Sequence, residues 1–228
     1  MIKLLAILIA AVISYLLGSL CFAIIFVRII KGQDIRTMGS KNAGLTNVLR
    51  CCGSSCAVLT LVGDLCKGVL AVSLSRTIAS ALNAGLQYDN NTRYIGYIAA
   101  FFAILGHVFP LYFNFRGGKG VLVGVASFIF IDWKMFVILL IIFAAVLIFS
   151  NYVSLASITA SACCPVITFL TSWLGDGCTL GRSALYMLLS VPMAAMVIWM
   201  HRSNINRLLN GTERKFRKSK TSGSSGKK

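Results

Sequence analysis

The stretch MFVILLIIFAAVLIFSNYVSLASITASACCPVITFLTSWLG, from Met135 to Gly175, contains no charged residue. A bilayer core is about 30 Å thick and takes roughly 20 apolar helical residues to cross. The run is therefore long enough for two crossings, and Ser150-Asn151-Tyr152 supplies the break between them. Such a length of uncharged chain marks an all-α integral membrane protein.

The neighbouring runs extend this reading in both directions. Leu4–Val27 is uncharged. It exceeds the roughly 7–15 residues of a signal-peptide core, and no small-residue cleavage site precedes the equally apolar remainder, so it reads as a retained span. Cys51–Ser75 is the second span and holds Asp64 and Lys67. Tyr94–Phe115 is the third and holds His107. Gly120–Ile131 is a short fourth, which crosses only by extension past Asp132 or in a thinned bilayer. Ser183–Met200 is the last. With 57% apolar and 12% charged residues, against about 25% charged in soluble domains, one membrane domain over residues 1–213 is expected. Residues 214–228 read as a basic flexible tail. Its last eight, Thr221–Lys228, either lie on an anionic leaflet with the rest or are an added linker.

The net charge of +16 invites a nucleic-acid reading, but the basic residues sit at the ends of spans and in the tail. With seven transmembrane helices, one face holds Arg28, Lys31, Arg36, Lys41, Arg50, Arg116, Lys119 and every cation from Arg202 onward. The other face holds Lys3, Arg76, Arg93, Lys134 and Arg182. If the fourth segment does not cross, the basic tail changes sides and the asymmetry collapses. The bias of Lys and Arg toward the cytoplasm thus predicts seven helices, N-terminus outside and C-terminus cytoplasmic. In that arrangement three polar clusters and the Ser150–Ser157 break share the cytoplasmic side. Irregular backbone at that depth survives only under cover of protein or beside a water-filled cavity.

The first cluster, Gly39–Arg50, combines Ser40, Asn42, Thr46 and Asn47 as donors with Arg50, whose planar fork suits phosphate. The blander reading is a loop with Thr46 or Asn47 capping the next helix. The second, Arg116-Gly117-Gly118-Lys119-Gly120, sets bare amides and two cations before a helix start, an arrangement that suits an anion. A basic anchor with a flexible turn is the alternative. It is not a Walker A loop: Phe113 stands where the first glycine belongs, and Gly120 where Ser or Thr belongs. In the third, His201, Asn204 and Arg207 fall at steps of three on one helical face, either as a wall of a site or as a surface helix. His107 in an apolar run is a functional suspect or a bridge between helices. Asp64 and Lys67, three apart, are expected to pair.

Cys51, Cys52 and Cys56 form the only cysteine cluster, and neither histidine is near in sequence, so they read as structural thiols without a metal. The six acids are too scattered for a metal set. No catalytic triad or G-x-S-x-G elbow is evident. Neither histidine has an acid five residues on, where Tyr112 and Asn206 stand, which argues against CoA-dependent glycerolipid acyltransferases. A transporter for a phosphorylated anion would place clusters on both faces or at the midplane with inverted symmetry, and neither is seen.

Together these motifs resemble the bacterial acyl-phosphate:glycerol-3-phosphate acyltransferase family of the integral-membrane PlsY type. Gly39–Arg50 is similar to its G-S-G-N-x-G-A-T-N-V-L-R motif, Gly106–Gly120 to G-H-x-F-P…F-x-G-G-K-G, and His201–Glu213 to H-R-x-N-I-x-R-L-x-x-G-x-E. Asp64-x-x-Lys67-Gly68 and Ser154-Leu155-x-Ser157 also look like family segments. Lys41 replaces a family glycine and Leu45 a family alanine. The resemblance implies a multi-pass protein of the bacterial inner membrane that moves an acyl group from acyl-phosphate to the sn-1 hydroxyl of glycerol 3-phosphate. It implies lysophosphatidic acid as product, with no cofactor and no nucleic acid partner, in a monomer. Under it, Ser40, Asn42, Thr46, Asn47 and Arg50, with Arg116, Lys119 and the amides of Gly117, Gly118 and Gly120, would hold phosphates. His201, Asn204 and Arg207 would bind glycerol 3-phosphate. His107 and Ser154 would position the reacting carbonyl or a phosphate oxygen, and His107 or His201, or else the substrate's own phosphate, would take the hydroxyl proton.

Overall fold

The computed structural model describes residues 2–82 and 92–216, and all its regular structure is helical. The helices are α1 (Ile2–Gly18), α2 (Phe22–Lys31), α3 (Leu45–Cys52), α4 (Ser54–Leu82), α5 (Arg93–Val108), α6 (Val121–Ile131), α7 (Trp133–Ser150), α8 (Val153–Leu170), α9 (Leu180–Met200) and α10 (Arg202–Leu209). Six segments are long and apolar enough to cross a membrane, counting α1 with α2 as one. The shorter α6 has 11 residues, about 16 Å at 1.5 Å per residue.

Three expected boundaries move. The first run breaks at Ser19–Cys21 instead of continuing to Val27. Small residues bring α1 against α5: a Cβ on Gly18 would strike the Ala103 carbonyl, and one on Gly106 would lie 2.9 Å from the Ser19 amide. Ser19 Oγ donates back to the Tyr15 carbonyl at 2.8 Å, a bond that bends helices. The freed Leu20 carbonyl accepts Lys67 Nζ at 2.8 Å. The second run divides into α3 and α4 because Gly53 adopts φ 86°, ψ −177°, a conformation open in practice only to glycine. Residue 54 then starts a 29-residue helix that continues well beyond Ser75. The third helix ends at Val108, before Pro110, instead of running through it to Phe115. Proline disfavours helix in the residue before it, so His107 lies in the last turn of α5 and not deep within a span.

The bundle has two distinct ends. At one, Arg93 opening α5 pairs with Asp132 at 2.7 Å and Asp176 at 2.6 Å, and Lys134 also reaches Asp176. Although partial burial opposes it, hydrogen bonds from Lys134 and Arg93 hold the Asp176 carboxyl below its ordinary pKa. These bonds tie the starts of α5 and α7 to the turn after α8. At the other end, α5 closes at His107 and the irregular loops begin. α6 runs antiparallel to α5 between the two: Gly120 lies against Ile104 and Val108, while Ile131 lies against Gly96. The main core gathers α4 to α9 around Ala100, Ala103, Ile104 and Tyr97. A smaller core of Cys21, Ile24, Val27, Ile35, Val48 and Cys56 sits beneath the Gly39–Asn47 loop and carries it.

Candidate active site

The three polar clusters meet at one end of the bundle around a cavity of about 610 Å³. Ser40, Asn42, Thr46, Asn47, Arg50, His107, Lys119, Gly120, Ser154, His201, Asn204 and Arg207 line it. They come from α3, the ends of α5 and α9, the loop before α6, the start of α8 and α10. The three clusters thus lie together at one end of the bundle.

The first loop is shaped from within by Asn47. Its side chain, 4% exposed, accepts from the Ser40 amide at 2.9 Å and donates to the carbonyls of Ile35, Met38 and Asn42 at 3.0–3.3 Å. Neither Asn47 nor Thr46 caps the helix, as the local pattern suggested; Gly44 holds that position. Leu45 and Thr46 begin α3 and line the cavity, and the first amides of a helix have no acceptor inside it. Asp34 and Arg36, unremarked in the sequence except for charge, brace this loop against the second. Arg36 pairs with Asp34 at 2.7 Å and donates to the carbonyls of Phe113 and Arg116 at 2.7 and 3.2 Å. Chiefly through the Arg36 hydrogen bond, the Asp34 carboxyl is held far below its ordinary pKa.

The second loop revises the expectation for its glycines. The Gly117 and Gly118 amides donate to the carbonyls of Val108 and His107, both at 3.1 Å, so neither is presented to a ligand. These positions are glycine because the loop folds back onto the end of α5. A Cβ at Gly118 would meet His107 Nε2 and would lie 2.6 Å from the Ala43 carbonyl oxygen. Arg116 is exposed and does not line the cavity. What the loop delivers is Lys119.

Lys119 Nζ donates to Asn204 Oδ1. Asn204 Nδ2 donates to Glu213 Oε1 at 2.7 Å, and Ser154 Oγ donates to the same oxygen at 2.8 Å. Arg207 Nε donates to Glu213 Oε2 at 2.7 Å. Glu213 thus joins the second and third motifs to α8, and single-residue reasoning passed it over, although it closes the G-x-E end of the third motif. Burial opposes it, yet the bonds from Asn204, Arg207 and Ser154 keep its carboxyl below the ordinary value. Burial, aided by the nearby Arg207 charge, lowers the Lys119 pKa to about 8. Burial and the Lys119 charge lower His201 to about 4, so His201 is neutral near pH 7. Its Nδ1 sits 2.7 Å from the Val197 carbonyl, an acceptor, so Nδ1 carries the proton and Nε2 the lone pair. Arg50 reaches the carbonyls of Arg214 and Lys215 at 3.4–3.5 Å, and the Phe216 amide donates to the Asn151 carbonyl at 2.8 Å. The segment after α10 is thereby drawn across the site. Among the described residues no group of three or more His, Cys, Asp or Glu side chains is placed to hold a metal ion.

Residues 8–211 match the family model described as glycerol-3-phosphate acyltransferase. The chain belongs to that family. A glycerol-3-phosphate acyltransferase of Syntrophomonas wolfei is 37% identical over 205 residues, covering 90% of this chain and 94% of the relative. One from Pseudomonas fluorescens is 40% identical over 208 residues, covering 90% and 97%. The fold is similar to a crystal structure of PlsY, an integral membrane glycerol 3-phosphate acyltransferase, in its glycerol 3-phosphate form. The TM-score is 0.76 at 29% identity, covering 92% of this chain and 96% of the other. The lysophosphatidic acid form of PlsY gives a TM-score of 0.72 at 27% identity. The family membership suggested by the three motifs holds across nearly the whole chain.

Proposed function

We propose that this protein transfers an acyl group from acyl-phosphate to the sn-1 hydroxyl of glycerol 3-phosphate, forming lysophosphatidic acid and inorganic phosphate. The observation that carries the reading is the cavity of about 610 Å³ at which Arg50, Lys119, His201 and the start of α3 converge. The glycerol oxygen attacks the acyl carbon, the bond from that carbon to the phosphate oxygen breaks, and phosphate departs with the electron pair. The anhydride is already activated, so the site contributes orientation and charge stabilisation. Arg50 and the Lys119 ammonium face the charge that grows on the leaving phosphate. His201, Asn204 and Arg207 hold glycerol 3-phosphate, with Ser154 and Glu213 fixing Asn204 and Arg207 in place.

The hydroxyl proton goes to a substrate phosphate. His201 is a weak base at a pKa of about 4, and Glu213 already accepts three hydrogen bonds. A phosphate monoester, with its second pKa at about 6, is the better acceptor near neutrality.

The protein crosses the bacterial inner membrane seven times in this reading, as one domain and as a monomer. The N-terminus lies outside and the site lies at the cytoplasmic face. The antiparallel course of α6 between the two ends of α5 supports the seventh crossing, with the bilayer thinned around it. The test is an assay of purified protein with glycerol 3-phosphate and either palmitoyl-phosphate or palmitoyl-CoA. Lysophosphatidic acid is expected from the first alone, and product from the CoA ester alone would overturn the donor assignment.

A further inference from the structure

Away from the Lys119–Glu213 chain, a second charged group lies under the cavity floor. Lys67 is 2% exposed and its Nζ meets three partners: Asp64 Oδ1 at 2.9 Å, the Leu20 carbonyl at 2.8 Å and His107 Nδ1 at 2.8 Å. The three partners come from α4, from the break between α1 and α2, and from the last turn of α5. An ammonium beside a carboxylate has hydrogens to give and no lone pair to receive with. His107 Nδ1 must therefore accept, which puts the ring proton on Nε2. Asp64 Oδ1 lies 3.8 Å from the same Nδ1, so the carboxylate is paired with Lys67 and does not take the histidine proton directly. Asp64 and His107 both line the cavity, and Nε2 lies against Gly118, at the root of the loop carrying Lys119.

We infer that Lys67 is a positioning residue that fixes His107 as an Nε2–H donor toward the bound substrate, in the opposite tautomer to His201. The two histidines at this cavity then divide the work by partner. A carbonyl on Nδ1 leaves His201 with an acceptor at Nε2, and an ammonium on Nδ1 leaves His107 with a donor there. His107 in this state has no free lone pair and cannot receive the glycerol proton. Its N–H is aimed at an oxygen of the acyl-phosphate, carbonyl or phosphoryl. The inference deepens the acyl-transfer reading and rests on it for the identity of that oxygen.

The chain contains two histidines, so nitrogen-15 NMR of histidine-labelled protein in lipid resolves both tautomers without an activity assay. The expected spectrum of wild type is one Nε2–H and one Nδ1–H ring, the Nε2–H signal vanishing in His107→Gln. A His107 ring protonated at Nδ1 overturns the inference. The Asp64→Leu/Lys67→Met pair removes both charges together and avoids stranding one. It is expected to lose the Nε2–H preference and about 10–100-fold in kcat/KM, as when a histidine's orienting partner is removed. An unchanged tautomer in that variant removes Lys67 from the role. Gln places an N–H near Nε2 and Asn one near Nδ1, so His107→Gln is expected to retain more activity than His107→Asn, and the reverse order refutes the donor assignment. Absence of any acyl transfer by wild type would defeat the functional reading, while the tautomer pattern would still decide the state of His107.

Discussion

Lys119 and Lys41 both line the cavity, the first partly buried and the second exposed. Lys119 has a pKa of about 8, so it loses its proton as pH rises through that value, and with it the charge facing the leaving phosphate. A fall in kcat/KM above about pH 8 is expected, because that parameter follows the free enzyme. Lys119→Arg cannot deprotonate in this range, so whatever activity it keeps is expected to lack the limb; a limb of equal position in both proteins would assign it elsewhere. Lys41 stands at the cavity with φ 59°, a left-handed conformation that costs an L-residue about 1–2 kcal/mol. Lys41→Gly relieves this strain but frees the unfolded chain, so stability is expected to change by no more than about 1 kcal/mol. The KM for glycerol 3-phosphate is expected to rise about two- to fivefold, the worth of one partly exposed charge contact. The rise should fade at high salt. The substitution was visible in the sequence as a break in the motif; its backbone conformation was not.

The loops act as elements, and each is held by one feature that packing explains. Asn47→Ala strips four hydrogen bonds from the first loop and strands the Ser40 amide. A loss of about 2–4 kcal/mol is expected in thermal unfolding, with kcat/KM reduced at permissive temperature. Gly118→Ala drives a methyl group onto a ring nitrogen and a carbonyl oxygen, neither of which can swing away, so the loop must move and carry Lys119 with it. Near-wild-type kcat with alanine at 118 would contradict this packing. The sequence showed that these loops are rich in donors and glycine. It did not show which amides are consumed internally, because that depends on the chain folding back onto Val108 and His107. The α3–α4 division was open to the sequence through Gly53, between two apolar stretches. The α1–α2 break was not, since Lys67, 47 residues on, helps hold it.

At the scale of the molecule, the all-helical membrane architecture and the meeting of three distant motifs were legible from hydropathy and charge, which act locally and add along the chain. Networks that cross the bundle were not, because their partners lie far apart in the chain, 83 residues for Arg93 and Asp176 and 85 for Lys119 and Asn204. Removing Asp132 leaves Arg93 with one buried carboxylate fewer and takes the cap from α7. Asp132→Ala is expected to cost about 3–5 kcal/mol, read as a lower melting temperature in detergent, while KM in the folded fraction stays unchanged. In a cysteine-free background, single cysteines at Lys119 and Lys134 are expected to react with impermeant reagent from opposite sides of the membrane. Reaction from the same side would leave α6 a re-entrant helix. Glu213 has a further consequence, in time. Its partners on α8 and α10 precede it in the chain, so every apolar helix can lie in the bilayer before the contact that completes the site is made. Catalytic competence waits on Glu213, and a truncation at Gly211 would yield an inserted, silent membrane protein.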